Sequence, residues 1–158
     1  MHMPMTKIPP ITQVTKFKTP EDSPGYLLWH VSLAWRSAIE TTLKKFGLTH
    51  PQFVVLATTA WLTRAGAHTS QIAISQAAGI DPNTTSQILR GLELKQLIQR
   101  PRFLNERSRN PALTALGLAI ITKALPAVER ADTKFFRCLD ASEHGQLLKI
   151  FRQLKTNV

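Results

Sequence analysis

Residues 70–96 read SQIAISQAAGIDPNTTSQILRGLELKQ and contain two helix starts separated by one helix stop. Thr69 or Ser70 can cap a first helix, and Gly79 is the residue type that commonly ends one. The dipeptide Asp81-Pro82 repeats the start signal, because Asp caps helices and proline suits the first helical position. The stretch therefore predicts two short helices joined by a tight turn, which is helix-turn-helix geometry.

The second of these helices presents a polar surface. In a helix-turn-helix the second helix enters the major groove of DNA, and its N-terminal residues reach the base edges. Helical spacing turns Ile88, Leu89 and Leu92 inward. The outward side chains can read bases and grip phosphates, and they are Asn83, Thr84, Ser86, Gln87 and Arg90.

Specific roles follow from the chemistry of these groups. Gln87 can pair with an adenine edge through two hydrogen bonds, and Arg90 can reach a guanine or a phosphate. Ser70 and Gln71 lie at a helix N-terminus, whose free N–H groups attract phosphate. For Ser70 a purely structural capping role is an open alternative.

A predicted β-hairpin, or wing, follows directly. Residues 97–103 and 111–113 have the composition of strands and enclose a polar turn at 105–110, although Pro101 must lie on an edge because it lacks an N–H. Arginines are frequent here against one acid, Glu106, and arginines at a hairpin tip suit a narrow minor groove. They are Arg100, Arg102, Arg107 and Arg109, of which the last three are candidate DNA contacts.

Further helices flank this core. Apolar spacing predicts a helix over residues 25–46 that stops at Gly47, and Thr49 to Gln52 forms a capping box for a helix from about Pro51. After Thr114 a long helix carries an apolar stripe and is kinked or broken at Pro126. Residues 140–143 form a further cap signal, which predicts a final helix. The stripe consists of Leu118, Ile121, Leu125, Val128 and Phe135.

The fold class predicted is mainly α with a small β wing: a winged helix-turn-helix domain flanked by N- and C-terminal dimerisation helices. We expect an arm over residues 1–24 and a single domain over 25–158, with its core at 49–117. The flanking helices, 25–47 and 115–158, carry more apolar surface than one small domain covers. A homodimer is therefore predicted.

The totals limit the function. The chain has 158 residues, enough for one compact domain, and a formal net charge of +10, which favours polyanionic partners such as nucleic acid or anionic lipid and does not choose between them. We expect no membrane span and no signal peptide, hence a cytoplasmic protein. The single cysteine, Cys138, is interpreted as a small apolar filler on a helix rather than a redox sensor.

Other classes of function find little support. Five histidines are scattered without paired helical spacing, and one cysteine gives no thiolate cluster, so no metal site is predicted. Acidic residues are few, and neither a paired-carboxylate catalyst nor a Ser-His-Asp set stands out. We therefore expect no cofactor and no enzymatic activity.

Seven short segments occur in a distinctive order. They are Leu48-Thr49-His50-Pro51-Gln52-Phe53-Val54-Val55-Leu56, Gly79-Ile80-Asp81, Thr84-Thr85-Ser86-Gln87, Leu92-Glu93, Leu97-Ile98-Gln99-Arg100, Asn105-Glu106-Arg107-Ser108-Arg109 and Leu113-Thr114-Ala115-Leu116-Gly117. No single segment is specific, but their order and spacing resemble the MarR family of bacterial regulators. The resemblance covers roughly Gly25 to the C-terminus.

The resemblance implies a dimer built by the terminal helices, a palindromic operator read by the helix from Asp81 to Gln96, and minor-groove contact by the wing. By position, Arg107 would be the wing-tip arginine. Two residues depart from the family pattern. Gln87 stands where Arg is common, which implies a different operator, and Asn105 stands where Asp usually braces the wing-tip arginine.

Members of that family often bind a small aromatic effector between the dimer helices and the DNA-binding lobe, which releases the DNA. Trp29, His30 and Trp61 are the candidate ligand-binding residues, with ordinary packing as the default use of the tryptophans. Two rival functions stay open: a winged-helix adaptor that binds proteins, and a basic RNA-binding module. The basic surface disfavours the first, and the scarcity of exposed aromatic residues disfavours the second.

Overall fold

The computed structural model describes residue 10 and residues 13–100 and 110–156 of the chain. These residues form six α-helices and one antiparallel pair of short strands, which confirms the mainly helical class with a small sheet. The helices are α1 (Pro24–Leu43), α2 (His50–Thr63), α3 (Gln71–Ala78), α4 (Pro82–Leu94), α5 (Ala115–Phe135) and α6 (Ala141–Lys155). The strands are β1 (Ile98–Gln99) and β2 (Ala112–Leu113).

Local capping explains where the helices begin and end. A single turn of 3-10 helix extends α1 as far as Gly47, and both Gly47 and Gly79 adopt the left-handed conformation at φ 66°. Of the two candidate caps for α3, Ser70 is the one used. The side chains that accept an N–H from the first turn of their helix belong to Thr49, Ser70, Asp81, Thr114 and Asp140.

The chain forms two compact units, one up to Trp35 and one from Arg36 onward. In the first unit a 3-10 turn, Pro20–Asp22, precedes α1. In the second, α2 packs against α3, α4, α5 and β2. Its core is made of aliphatic side chains from these elements and from the end of α1, and those with no exposed surface include Ile39, Leu43, Val55, Leu56, Ile74, Leu89 and Leu92.

Helix α5 differs from its prediction in two respects. It is continuous through Pro126, so of the predicted kink or break the break is wrong and the kink stays a prediction. Pro126 is exposed, while Ala124 and Ala127 on either side of it are buried, and this packing holds the helix together across the missing N–H.

The buried face of α5 also differs from the predicted apolar stripe. Of the predicted residues only Ile121 is buried, and Leu118 and Leu125 are 57% and 43% exposed. The helix turns Gly117, Ile121, Ala124 and Ala127 inward instead. Small residues let two backbones approach closely, and the larger leucines therefore lie on the outer side.

The interpretation of Cys138 as a filler on a helix is also wrong. Cys138 lies beyond the end of α5, in the turn before α6, and its side chain is exposed. None of the described helices is long and apolar enough to cross a membrane.

The base of the hairpin is closed by Thr114. Its N–H donates to the Leu97 carbonyl at 3.1 Å and its hydroxyl donates to the Gln96 carbonyl at 2.6 Å. The first strand is shorter at its start than predicted, since it begins at Ile98 and the Leu97 carbonyl is used by Thr114. The continuation of this strand over 101–103 and the turn at 105–109 lie outside the described residues.

Replacing Gly117 tests this junction. A Cβ at Gly117 would overlap the backbone carbonyl of Leu97, which cannot move without opening the hairpin base. We expect Gly117→Ala to lower the free energy of unfolding by about 3 kcal/mol, as severe overpacking does. Denaturant unfolding followed by circular dichroism measures this.

The matched control is Gly145→Ala in α6, where nothing lies within 4 Å of the added Cβ. Alanine there removes the helix penalty of glycine and should stabilise the protein by up to about 1 kcal/mol. Equal effects of the two substitutions would show that the contact with Leu97 does not matter.

Candidate nucleic-acid interface

The turn between α3 and α4 is held by one backbone carbonyl. The Ser75 hydroxyl on α3 donates to the Ile80 carbonyl at 2.6 Å, and the Thr85 hydroxyl on α4 donates to the same oxygen at 3.3 Å. The Ile80 N–H donates back to the Ser75 carbonyl at 3.1 Å. Ser75 and Thr85 are both buried, so water competes little for these bonds. The turn is therefore fixed from both helices.

Sequence reasoning missed the role of Thr85. The residue stands inside the polar run Thr84-Thr85-Ser86 and looks like one more surface hydroxyl. Its spacing from Leu89 and Leu92 is i, i+4, i+7, which turns it to the buried side of α4. That phase is the signal that identifies it.

Asp81 fastens the N-terminus of α4. Its Oδ1 accepts the Thr84 N–H at 2.9 Å, and Pro82 fills the first helical position. The Thr84 side chain and then the Thr84 backbone N–H lower the pKa of the Asp81 carboxyl below its ordinary value of 3.8. Hydrogen bonds of this kind favour the charged form. The cap is consequently an anion at neutral pH, at the positive end of the helix dipole.

The outward face of α4 is largely as predicted. Leu89 and Leu92 have no exposed surface, while Ile88 is only half-buried. Of the five candidate contacts Ser86 is half-buried, and the exposed ones are Asn83, Thr84, Gln87 and Arg90. Residues 83, 87 and 90 follow i, i+4, i+7 and share one side of the helix. This side carries a hydrogen-bonding stripe, and its contact with DNA stays a prediction.

The start of α3 uses its polar groups internally. The Ser70 hydroxyl accepts the Ala73 N–H at 3.1 Å, which is the capping role. The Gln71 side-chain amide donates to the Pro82 carbonyl at 3.3 Å and so braces the first turn of α4. The prediction that Ser70 and Gln71 bind phosphate is untested, and the structure adds a bracing role for Gln71.

Arg100 has a different role from the other wing arginines. Its side chain is 12% exposed, and its Nη2 lies 3.0 Å from Oε2 of Glu93 on α4. Neither Nε nor Nη2 of Arg100 forms a hydrogen bond with the described residues. The contact with Glu93 is therefore an ion pair defined by its distance alone. Arg100 therefore ties β1 to α4. The wing candidates Arg102, Arg107 and Arg109 lie outside the described residues.

Trp61 lines a cavity beside α2. This cavity has a volume of about 810 Å³ and lies between α2 and α5, where Leu62, Ile121 and Leu125 contribute apolar walls. The Arg64 guanidinium stacks over the Trp61 ring at 3.8 Å from its centroid. The side chain of Trp61 is nevertheless 65% exposed. A planar apolar group with a negative charge suits this combination of ring, cation and aliphatic wall.

The other two ligand candidates belong to the first unit. Trp29 is 62% exposed on α1, and the His30 ring lies 4.3 Å from the Tyr26 ring between centroids. Within the described residues, no group of three or more His, Cys, Asp or Glu side chains could hold a metal ion.

Two extended apolar surfaces lie uncovered. None of the residues of α6 is buried, and four of its large apolar side chains are exposed: Leu148, Ile150, Phe151 and Leu154. In the first unit, α1 exposes Tyr26, Leu27, Leu28, Trp29, Val31 and Leu33. Surfaces of this kind in a water-soluble protein generally mark an interface.

Similar proteins are regulators of transcription. No family model matches the chain. It is 34% identical over 130 residues to an uncharacterised HTH-type transcriptional regulator, YdcH of Bacillus subtilis, which covers 77% of this chain and 84% of that protein. It is 29% identical over 136 residues to the HTH-type transcriptional repressor Rv2887 of Mycobacterium tuberculosis, covering 85% of this chain and 95% of the repressor.

Solved structures give the same result. The MarR family protein Rv2887 in complex with DNA superposes with a TM-score of 0.65 at 26% identity, over 84% of this chain and 97% of that one. The same protein in complex with p-aminosalicylic acid superposes at 0.64 and 28% identity, over 84% and 98%. BpsR of Bordetella bronchiseptica shares the fold at a TM-score of 0.78 and 21% identity, over 89% and 99%.

The lowered pKa of Asp81 makes the anchoring of α4 dependent on pH. Below 3.8 the unfolded chain takes up a proton that the folded chain still resists, so folding loses stability as the pH falls. Asp81→Asn keeps a capping oxygen but cannot titrate. We expect wild type to be the more stable protein at neutral pH and this advantage to vanish in acid. Thermal unfolding of both proteins from pH 7 to pH 2 tests this, and a constant difference would contradict it.

Proposed function

This chain belongs to the MarR family of helix-turn-helix transcriptional regulators, and from that premise we propose that it acts as a homodimer on a palindromic operator in double-stranded DNA. In this proposal α4 reads the bases of the major groove and the wing holds the adjacent minor groove. A small aromatic effector releases the protein from DNA. We propose that the protein has no catalytic activity and that it binds chromosomal DNA in the cytoplasm.

The observation that carries the proposal is the exposed stripe of Asn83, Gln87 and Arg90 on a helix whose start is immobilised. Asp81 caps that helix, and Ser75 and Thr85 hold its turn. Base readout needs hydrogen-bonding groups at fixed positions, because each pairs with one edge pattern. The net charge of +10 supplies attraction to the phosphate backbone.

The wing arginines are proposed to make the contacts with the minor groove. By family position Arg107 would be the wing-tip arginine that enters the minor groove, and Arg102 and Arg109 are further proposed DNA contacts. The pairing of Arg100 with Glu93 supports this division of roles, since it uses one arginine to attach β1 to α4 and leaves the others to the loop.

A second copy of the chain is the proposed occupant of the apolar surfaces. Helix α6 has no buried residue, and α1 exposes a run of apolar side chains in its first half. Burying such surfaces in a dimer removes apolar area from water, at about 25 cal/mol per Å². Two-fold symmetry of the protein then matches two-fold symmetry of the operator.

The proposed effector site is the cavity beside Trp61. The structure of Rv2887 with p-aminosalicylic acid supports the chemical class, an aromatic ring with a carboxylate. In this chain Trp61 offers a ring and Arg64 a cation. Trp29 and His30 remain candidates for the same ligand through the proposed dimer.

The proposal is tested by selecting bound duplexes from a random double-stranded pool at near-physiological salt, with the mass of the complex measured in parallel. We expect a palindrome with half-sites one helical turn apart, bound by two chains. Binding that depends on salt but enriches no sequence would overturn it and favour the protein-binding adaptor. Preference for single-stranded RNA over the selected duplex would favour the RNA-binding alternative.

Two substitutions separate base readout from backbone attraction. Gln87→Ala should weaken binding to the selected duplex about tenfold and leave random duplex nearly unchanged, because a lost bidentate pair costs about 1–3 kcal/mol. Arg107→Ala should weaken both duplexes alike. Equal losses on both for Gln87→Ala, measured by fluorescence anisotropy, would remove Gln87 from base readout.

The effector site is tested with salicylate as the probe. Increasing salicylate should release wild type from the selected duplex, and Trp61→Ala should need about tenfold more, which corresponds to the loss of one well-packed aromatic contact. Trp29→Ala serves as the comparison at the other candidate residue. Identical release curves for Trp61→Ala and wild type would exclude the Trp61 cavity.

A further inference from the structure

Lys95, the residue that follows α4, reaches across to a distant part of the chain. Its Nζ donates to the Gly47 carbonyl at 2.6 Å and to Oε1 of Gln52 at 2.7 Å. These acceptors lie 48 and 43 residues earlier in the sequence. All three residues belong to the second compact unit. One ammonium group therefore connects the end of α4 to the junction between α1 and α2.

Both acceptors occupy defined positions in that junction. Gly47 is the left-handed residue that ends the 3-10 extension of α1, and its N–H donates to the Lys44 carbonyl at 3.0 Å. Gln52 completes the capping box of α2, in which its Oε1 accepts the Thr49 N–H at 3.3 Å. Gln52 Oε1 is thus shared between the cap of α2 and Lys95. Neither acceptor can move independently of the helix end it belongs to.

The side chain of Gln52 also lies near α4 one turn earlier, at Gly91. A Cβ at Gly91 would lie 3.4 Å from Nε2 of Gln52, which is ordinary contact distance. The amide of Gln52 therefore lies along the last turn of α4, beside Gly91, and accepts from Lys95 at its other end.

A lysine at the end of a DNA-reading helix in a chain of net charge +10 would ordinarily be assigned to a phosphate. Here the ammonium already has two short bonds to oxygens of the protein. Hydrogen bonds from an ionised donor are stronger than neutral ones, and binding a phosphate would require Lys95 to give up two such bonds, although both lie at the exposed surface.

We propose that Lys95 is a positioning residue, which with Gln52 and Gly47 sets the angle of α4 against the α1–α2 junction and does not itself bind phosphate. The inference rests on the proposed DNA-binding function. Through this link, the second-unit part of α1, from Arg36 to Leu43, and the base-reading stripe of α4 move together. A displacement of α1 would consequently change how Asn83, Gln87 and Arg90 meet the bases.

The test compares Lys95→Ala with wild type on the selected duplex and on a random duplex, each at several salt concentrations. A positioning role predicts a loss of about tenfold on the selected duplex, less than twofold on random duplex, and an unchanged slope of log affinity against log salt. A phosphate contact predicts equal losses on both and a slope smaller by about one. The second result would overturn the inference.

Two further variants complete the design. Lys155→Ala, at the exposed end of α6, removes the same charge and should leave the preference for the selected duplex unchanged. Gln52→Glu keeps the capping box and gives Lys95 an ionised acceptor. It should preserve or strengthen operator binding when Lys95 is present and have no effect on operator binding in the Lys95→Ala background. Additive effects of the two substitutions would contradict a shared link.

Lys95→Arg keeps the test decisive if Lys95→Ala does not fold, which thermal unfolding detects. The guanidinium is longer and planar, and its N–H groups point in fixed directions, so it meets the two acceptors in a different geometry from the ammonium; several-fold loss on the selected duplex with unchanged random binding is expected. Equal or tighter binding to both duplexes would overturn the inference. If wild type itself selects no sequence, the proposed function fails, and faster hydrogen exchange of the last turn of α4 in Lys95→Arg than in wild type would still establish the link.

Discussion

The position of α4 depends on the backbone carbonyl of Ile80. Hydroxyl groups from two different helices, Ser75 on α3 and Thr85 on α4, converge on it, and the Ile80 N–H closes the turn from the other side. Buried hydrogen bonds cannot be exchanged for water at low cost, so the angle between the helices is set locally. The exposed stripe of α4 inherits its orientation from this turn and from the Asp81 cap.

Side chains of the same type are used in different ways around this helix. Arg100 is nearly buried against Glu93, whereas Arg90 is exposed on the outward face of α4. Lys95 donates to two oxygens at the α1–α2 junction although it lies at the end of a helix that faces outward. The charge of +10 is thus not all available to a polyanion. Part of it attaches α4 to its neighbours, and rigidity gained in this way lowers the entropic cost of ordered binding.

Helix α5 contributes to two different surfaces, one buried and one exposed. Its small inward residues, including Gly117 against Leu97, bring the helix close to the hairpin base and to α2. Its leucines are turned away from the core, and one of them, Leu125, lines an open cavity together with Trp61. The leucines of α5 and the exposed apolar side chains of α6 are apolar residues of the second unit that this unit does not bury.

The amino-acid sequence by itself determined the helix boundaries. Capping residues such as Thr49, Ser70 and Asp81, and C-terminal residues such as Gly79, form their hydrogen bonds with backbone groups in the adjacent turn of the same helix. The sequence also determined the family, through the order of short motifs, and the outward phase of Gln87. Tertiary structure decided the rest: the exposure of Leu118 and Cys138, the continuity of α5 at Pro126, and the partners of Arg100 and Lys95. These features depend on which distant segment of the chain packs against a residue, and the spacing of residues along the sequence does not reveal that segment.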